Sequence, residues 1–223
     1  MKLIHMSGKT RKIDSFVEPI IQKIFVKWMV PRVPKFIETY HLTLLTIPLS
    51  ILIIFIGKWS KANNYLMLIH GLIILTQYIS DILDGSVGRY RNTGLVRWGF
   101  FMDHFLDFVF ANSIVLSYAL AFSVSIEMTA VLLFITSGFF MHEFLIGNIK
   151  GIVNVTGYYG IGPTEARLGA ILFDIVIALS GFYPSPLLVF IFTSLACLVL
   201  LFLTVRTQKS LWAQDMASKK IKQ

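Results

Sequence analysis

The chain has 223 residues, of which 56% are hydrophobic and 14% are charged, and its mean hydropathy is +0.73. Because a soluble domain carries about 25% charged residues, this composition excludes an ordinary soluble protein and predicts an integral membrane protein. The net charge of +8 is typical of membrane topology and anionic lipid contact rather than of nucleic-acid binding, and the single cysteine, Cys197, excludes an internal disulfide.

The first predicted element is an amphipathic helix within residues 1–35. Apolar residues recur at helical spacing from Ile13 to Met29, and Pro31 and Pro34 end the pattern. Such a helix is expected to lie in the plane of the cytosolic membrane surface. The alternative is a helix that packs on the cytosolic end of the transmembrane bundle.

Six apolar stretches follow, at 41–57, 64–83, 99–122, 128–147, 167–183 and 186–205. A membrane-spanning helix needs about 20 residues, so each stretch is a candidate span. Tyr183 to Pro186 is a turn signal that separates the last two. The predicted fold class is therefore an all-α integral membrane protein with six transmembrane helices and one interfacial helix.

The basic residues predict the orientation. Of the 20 Lys and Arg residues, all but Lys58 and Lys61 lie before span 1, between spans 2 and 3, from the end of span 4 to Arg167 at the start of span 5, or after span 6. By the positive-inside rule, both termini and residues 84–98 face the cytosol. Residues 1–223 form one domain, in which 41–205 is the six-helix bundle and 206–223 is a basic cytosolic tail.

Four aspartates lie at the cytosolic ends of spans 2 and 3. Asp81 and Asp84 are three residues apart, and Asp103 and Asp107 are four apart, so each pair shares one helix face. Ionised groups at membrane depth are costly and tend to be functional. If spans 2 and 3 are antiparallel neighbours, the four carboxylates converge on one pocket that suits hard divalent cations.

Glycines and an arginine are interleaved with these acids. Gly85, Gly88 and Gly99 would let a ligand approach closely, and Arg89 supplies a cation suited to phosphate. Acids, glycines and one arginine together favour a metal-bound pyrophosphate as the ligand, because paired metal ions can stabilise phosphoryl transfer.

Other interpretations remain open at this stage. The acids could form interhelical salt bridges with Arg89, Arg91 and Arg97, although these would not explain the glycines. Intramembrane acids also occur in ion-coupled transporters, where they are spread through the membrane depth, and a lipid-binding scaffold without activity is a third reading.

Polar residues in the other spans have two readings each. His142 and Glu143 could face the substrate cavity or satisfy interhelical hydrogen bonds, and position 146 is Ile146, which excludes a His-Glu-x-x-His zinc site. Asp174 could line the cavity or pair within the bundle, and His70 is expected to be structural.

The spacing Asp81-x2-Asp84-Gly85-x2-Gly88-Arg89-x9-Gly99-x3-Asp103-x3-Asp107 resembles the signature of the CDP-alcohol phosphotransferase family. The family usually has alanine where this chain has Gly88. The resemblance extends to the six-span layout and the basic amphipathic N-terminus.

The resemblance implies a role for each matched position. Metal ligation by the aspartates would involve two Mg²⁺ or Mn²⁺ ions, and Asp107 would also be the general base that takes the proton of the acceptor hydroxyl. The implied metal ligands are Asp81, Asp84, Asp103 and Asp107. The implied contacts to the CDP moiety are Asp81, Gly85, Gly88, Arg89, Gly99 and, less directly, Thr43. The family also implies a homodimer.

The implied reaction is attack by a hydroxyl on a CDP-linked donor with release of CMP. Residues 158–168 resemble the segment that enters a late span in choline- and ethanolaminephosphotransferases, which favours CDP-choline or CDP-ethanolamine with diacylglycerol. Glu165 and Arg167 would belong to the substrate pocket, as would Glu143. The alternative for Thr164 and Glu165 is helix capping alone. The alternative reaction uses CDP-diacylglycerol and a polar alcohol such as glycerol phosphate, inositol phosphate or serine.

Overall fold

The computed structural model describes residues 12–13, 26–93, 95–150, 155–156 and 162–221. The predicted interfacial helix lies largely outside these residues, as does most of the segment before Gly162. Within the described part the chain is almost entirely helical. Two short strands, β1 (Lys12–Ile13) and β2 (Val155–Thr156), pair in parallel.

The first helices lead into the long helices of the bundle. Helix α1 (Lys27–Met29) continues into a 3₁₀ turn (Val30–Arg32), and α2 (Thr39–Leu44) leads directly into α3 (Thr46–Ser60). The Arg91 guanidinium donates to the carbonyls of Val33, Pro34 and Ile37, which fastens this N-terminal segment to the next long helix.

Five longer helices complete the fold. They are α4 (Leu66–Arg91), α5 (Val96–Ala121), α6 (Ile126–Lys150), α7 (Pro163–Ser180) and α8 (Pro186–Ile221). Asn92 adopts a left-handed conformation (φ 52°), and the backbone N–H of Thr93 donates to the Gly88 carbonyl. Helix α4 therefore ends in a left-handed C-cap, a conformation that asparagine tolerates. Gly181 (φ 65°) ends α7 in the same way.

Five segments are long and apolar enough to cross a membrane: Thr39–Ser60, Leu66–Arg91, Val96–Ala121, Ile126–Ile149 and Pro186–Ala217. This is the pattern of a multi-pass membrane protein. The predicted fifth span corresponds to α7, which is not one of these five and carries Glu165, Arg167 and Asp174. The six-span count therefore stays a prediction.

Two boundaries differ from the sequence prediction. Helix α4 continues to Arg91, so Asp84, Gly85 and Arg89 are helical rather than part of the connection. Helix α8 runs without a break through the predicted border at residue 205, because residues 206–221 hold no glycine or proline to end it.

The packing is organised around α3 and α4. Helix α3 packs on both α4 and α5, α4 packs on α7, α5 packs on α6, and α6 packs on α8. Within the described residues, α4 and α5 have few close backbone contacts with each other. The prediction that α4 and α5 are neighbours is confirmed at the level of side chains, since Gln77 and His70 on α4 bond to Asp107 and Ser117 on α5, and α3 packs on both helices.

Candidate metal centre

Three aspartates from α4 and α5 converge. Asp81 on α4 and Asp103 and Asp107 on α5 each offer a carboxylate oxygen, and these oxygens all lie within 4.8 Å of one another. Asp103 and Asp107 are one helical turn apart, which puts both on the face that looks toward Asp81. Three hard oxygen donors at this separation fit a divalent cation such as Mg²⁺, Mn²⁺ or Ca²⁺.

Asp84 does not belong to this group of three. Its side chain is buried, and its Oδ2 accepts a hydrogen bond from the Thr43 hydroxyl at 2.8 Å. The backbone N–H of Gly85 is also close to its Oδ1. The three-residue offset from Asp81 rotates Asp84 toward α2, where Thr43 lies, and so the predicted four-acid cluster is three acids with a fourth beside it.

Arg167 is the counter-ion of the cluster. Its Nη1 donates to Oδ2 of Asp81 at 2.9 Å, and its Nη2 donates to Oδ1 of Asp107 at 2.7 Å. The planar fork of a guanidinium suits two acceptors held side by side. The guanidinium also lies over the Tyr78 ring, 5.6 Å from its centroid. Helix α7 therefore contributes to a site that the motif confines to α4 and α5.

The salt-bridge alternative is wrong in its choice of arginines. Arg91 binds backbone carbonyls of residues 33–37, and Arg89 donates to the Ser86 hydroxyl at 3.2 Å. Arg97 is exposed. The ion pairs to the cluster come instead from Arg167, whose position 60 residues after Asp107 gave no local signal.

Gln77 is a further polar side chain at the cluster that the sequence analysis missed. Its Nε2 donates to Oδ1 of Asp107 at 3.2 Å, and the residue is 1% exposed. A signal was present, because Gln77 precedes Asp81 by four residues and so lies on the same face of α4.

The glycines differ in what surrounds them. A methyl group on Gly99 would meet no atom within 4 Å, so the space beside it is open. A methyl group on Gly88 would lie 3.2 Å from the Thr39 hydroxyl oxygen, and one on Gly85 would lie 3.3 Å from Nη1 of Arg89. Gly88 thus also has a packing reason to be small, whereas the neighbour of Gly85 is the flexible end of the Arg89 side chain and Gly99 has no neighbour within the described residues.

Glu165 caps the start of α7. Its Oε2 accepts a hydrogen bond from the Gly162 backbone N–H at 2.7 Å. The capping alternative therefore has direct geometric support, and this segment does not by itself identify a substrate. Glu143 is half-buried on α6, and the neighbouring His142 lies 3.2 Å from the Thr207 hydroxyl, which joins α6 to α8.

A second polar group lies deeper in the bundle. His70 Nδ1 is 2.7 Å from Oδ2 of Asp174, His70 Nε2 is 2.6 Å from the Ser117 hydroxyl, and the Tyr118 hydroxyl donates to Oδ1 of Asp174 at 2.8 Å. Of the two readings for Asp174, this geometry favours pairing within the bundle. The group joins α4, α5 and α7, the three helices that also form the aspartate cluster.

Comparisons of the chain with protein-family models, with curated proteins and with solved structures found no match.

Proposed function

We propose that the chain is a membrane-embedded CDP-alcohol phosphotransferase. The observation that carries this proposal is the convergence of Asp81, Asp103 and Asp107, whose carboxylate oxygens lie within 4.8 Å of one another at the positions that the motif requires. The open space beside Gly99, one turn before Asp103, is compatible with it, because a ligand can approach the backbone closely where no Cβ intervenes.

The reaction is a transfer between two oxygens. The oxygen of the acceptor hydroxyl forms a bond to the donor phosphorus that is joined to CMP through a bridging oxygen. The bond between this phosphorus and the bridging oxygen breaks, and CMP leaves with that oxygen. Asp81, Asp103 and Asp107 would hold one or two divalent ions, Mg²⁺ or Mn²⁺, with Asp84 beside them. When bound, these ions neutralise phosphate charge and stabilise the transition state.

Asp107 is proposed as the general base that accepts the proton of the acceptor hydroxyl. Arg167 and Gln77 both donate to Oδ1 of Asp107, so they fix the orientation of the carboxylate. We assign the proton to its other oxygen, Oδ2. Arg89, Gly85, Gly88 and Thr43 are assigned to the nucleotide side of the site by the resemblance.

The lipid bilayer supplies the second substrate. We assign the donor to the CDP-ethanolamine or CDP-choline class and the acceptor to diacylglycerol or a similar lipid alcohol, with Glu143, Glu165 and Arg167 near the substrate. The alternative branch uses CDP-diacylglycerol and a polar alcohol. The site is proposed to face the cytosol, because the basic residues lie on that side of the spans, and the resemblance implies a homodimer.

The test is CMP release from the purified protein in detergent with Mg²⁺ or Mn²⁺. CDP-ethanolamine or CDP-choline with diacylglycerol is compared with CDP-diacylglycerol and a panel of polar alcohols. Asp81→Asn and Asp103→Asn should abolish release, while Asp215→Asn, which makes the same change at an exposed position on α8, should not. Full turnover by Asp107→Asn would overturn the base assignment, and no release from any pair would overturn the proposed function.

A further inference from the structure

The side-chain amide of Gln77 has a hydrogen-bond partner for its nitrogen, Nε2, but none within the described residues for its oxygen, Oε1. Its Nε2 donates to Oδ1 of Asp107 at 3.2 Å. Its Oε1 is buried and has no hydrogen-bond partner within the described residues. The whole side chain is 1% exposed, so bulk water does not satisfy this oxygen.

A buried amide oxygen without a partner is destabilising and uncommon in folded proteins. Rotating the amide by half a turn would not help, because the oxygen would then face the carboxylate of Asp107. The contact with Asp107 therefore holds the amide in place, and Oε1, which is bonded to the same carbon as Nε2, stays beside Asp107.

We propose that Oε1 of Gln77 is an additional oxygen of the cation site formed by Asp81, Asp103 and Asp107. This inference rests on the metal centre of the proposed function. Carbonyl oxygens of Gln and Asn side chains are ordinary partners of hard divalent cations. An uncharged oxygen would complete the site without adding to the repulsion among three carboxylates that already lie within 4.8 Å of one another.

The same side chain then has two tasks. The N–H of its amide orients Asp107, and the carbonyl oxygen of the same amide would bind the cation. Removing a side chain that only supports metal ligands typically changes metal affinity by about 10–100-fold, so loss of an oxygen of the site itself should be at least as large as the lower end of that range. Gln77 is not one of the motif positions, and its place in the site follows from these contacts alone.

The experiment measures Mn²⁺ binding to the purified protein by electron paramagnetic resonance, without nucleotide or lipid substrate. Gln77→Met removes the oxygen at similar volume, and Gln77→Glu keeps an oxygen there while losing the N–H donor. Thr76→Val is the matched control, because the Thr76 hydroxyl is the adjacent polar group on α4 and donates to its own helix at the Leu72 carbonyl.

We expect Gln77→Met to weaken Mn²⁺ binding about tenfold. Gln77→Glu should bind Mn²⁺ at least as tightly as the wild type, and Thr76→Val should be unchanged. If Gln77→Met binds Mn²⁺ like the wild type, the oxygen is not part of the site and the proposal is wrong. If both Gln77 variants lose affinity equally, only the N–H donor to Asp107 matters, which also overturns the proposal.

Failure of this inference and failure of the proposed function are separable. Wild-type protein that binds Mn²⁺ but releases no CMP would overturn the proposed reaction and leave Gln77 as a cation-site residue. Wild-type protein that releases CMP, with Mn²⁺ affinity indifferent to Gln77→Met, would overturn the inference alone. Should Gln77→Met not fold, a loss of Mn²⁺ affinity in Gln77→Glu would still contradict the proposal.

Discussion

Nη2 of Arg167 lies 2.7 Å from Oδ1 of Asp107, and the same guanidinium reaches Asp81 with its other terminal nitrogen. One cation thus bridges an acid on α4 and an acid on α5, which few close backbone contacts join directly. Helix α7, placed by its packing on α4, supplies the charge that allows these carboxylates to approach one another.

Arg167→Gln is expected to destabilise the protein without metal and to increase its response to metal. Removing the guanidinium leaves Asp81 and Asp107 without their counter-ion, at a cost of about 1–3 kcal/mol for this partly exposed pair. A divalent cation restores the missing charge. In thermal unfolding followed by fluorescence, Mn²⁺ should therefore raise the melting temperature of Arg167→Gln more than that of the wild type.

Arg97→Gln is the matched control for this experiment. It makes the same change of charge at an exposed position near the start of α5. We expect it to behave like the wild type with and without Mn²⁺. If Mn²⁺ instead raises the melting temperature of Arg167→Gln less than that of the wild type, the guanidinium helps to hold the metal ion. It would then not be a substitute for the charge of the metal ion.

Thr43→Val is expected to destabilise the protein by about 1–3 kcal/mol, because it removes a hydroxyl donor from the buried carboxylate of Asp84. Thr193→Val is the control, since Thr193 is equally buried, at 4% exposure, and its hydroxyl donates only within its own helix to Val189. Chemical unfolding in detergent measures both. Equal effects of the two variants would mean that the Thr43–Asp84 bond adds nothing specific.

The aspartate cluster shows how far local sequence reaches. The four-residue spacing correctly indicates that Asp103 and Asp107 lie on one helix face, whereas the three-residue spacing of Asp81 and Asp84 does not bring both into the cluster. The direction of each face depends on packing, and this is why Asp84 turns toward Thr43 instead of joining Asp81. The resemblance of residues 158–168 places Arg167 in a substrate pocket, and no spacing rule relates it to the acids 60 and 86 residues earlier that it contacts.

The spans show a similar division. Apolar length identifies five helices that are long enough to cross a membrane, and the Tyr183–Pro186 turn correctly separates α7 from α8. Apolar length cannot decide α7, whose polar residues are engaged in specific pairs: Arg167 with the cluster and Asp174 with His70. The partners in those pairs lie on helices that are far from α7 in the sequence, so the sequence near α7 does not reveal them.

Asp174→Ala is expected to destabilise the protein strongly, by about 3–5 kcal/mol, because His70 and the Tyr118 hydroxyl lose a fully buried partner. Replacing both Asp174 and His70 by leucine should cost less than the single alanine change, since no unpaired polar group then remains on either residue. Thermal unfolding of the single and double variants measures the coupling. Additive effects of the two positions would show that the pair is not energetically coupled.

Gly57→Ala and Gly99→Ala separate packing from ligand contact. A methyl group on Gly57 would lie 2.7 Å from Cβ of Ser117, at the place where α3 meets α5. Nothing lies within 4 Å of the same group on Gly99. We therefore expect Gly57→Ala to destabilise the protein by about 1–3 kcal/mol. Gly99→Ala should stabilise it by roughly 0.5–1 kcal/mol, because alanine is the better helix former.

The Gly99→Ala change is expected to lower activity although it does not lower stability. If a nucleotide occupies the open space beside Gly99, a methyl group there obstructs it, and CMP release should fall at least tenfold in a protein that is no less stable. A loss of activity with retained stability is an effect that packing alone does not produce, since the methyl group touches no residue of the described chain. Full activity in Gly99→Ala, measured beside its melting temperature, would remove Gly99 from the nucleotide site.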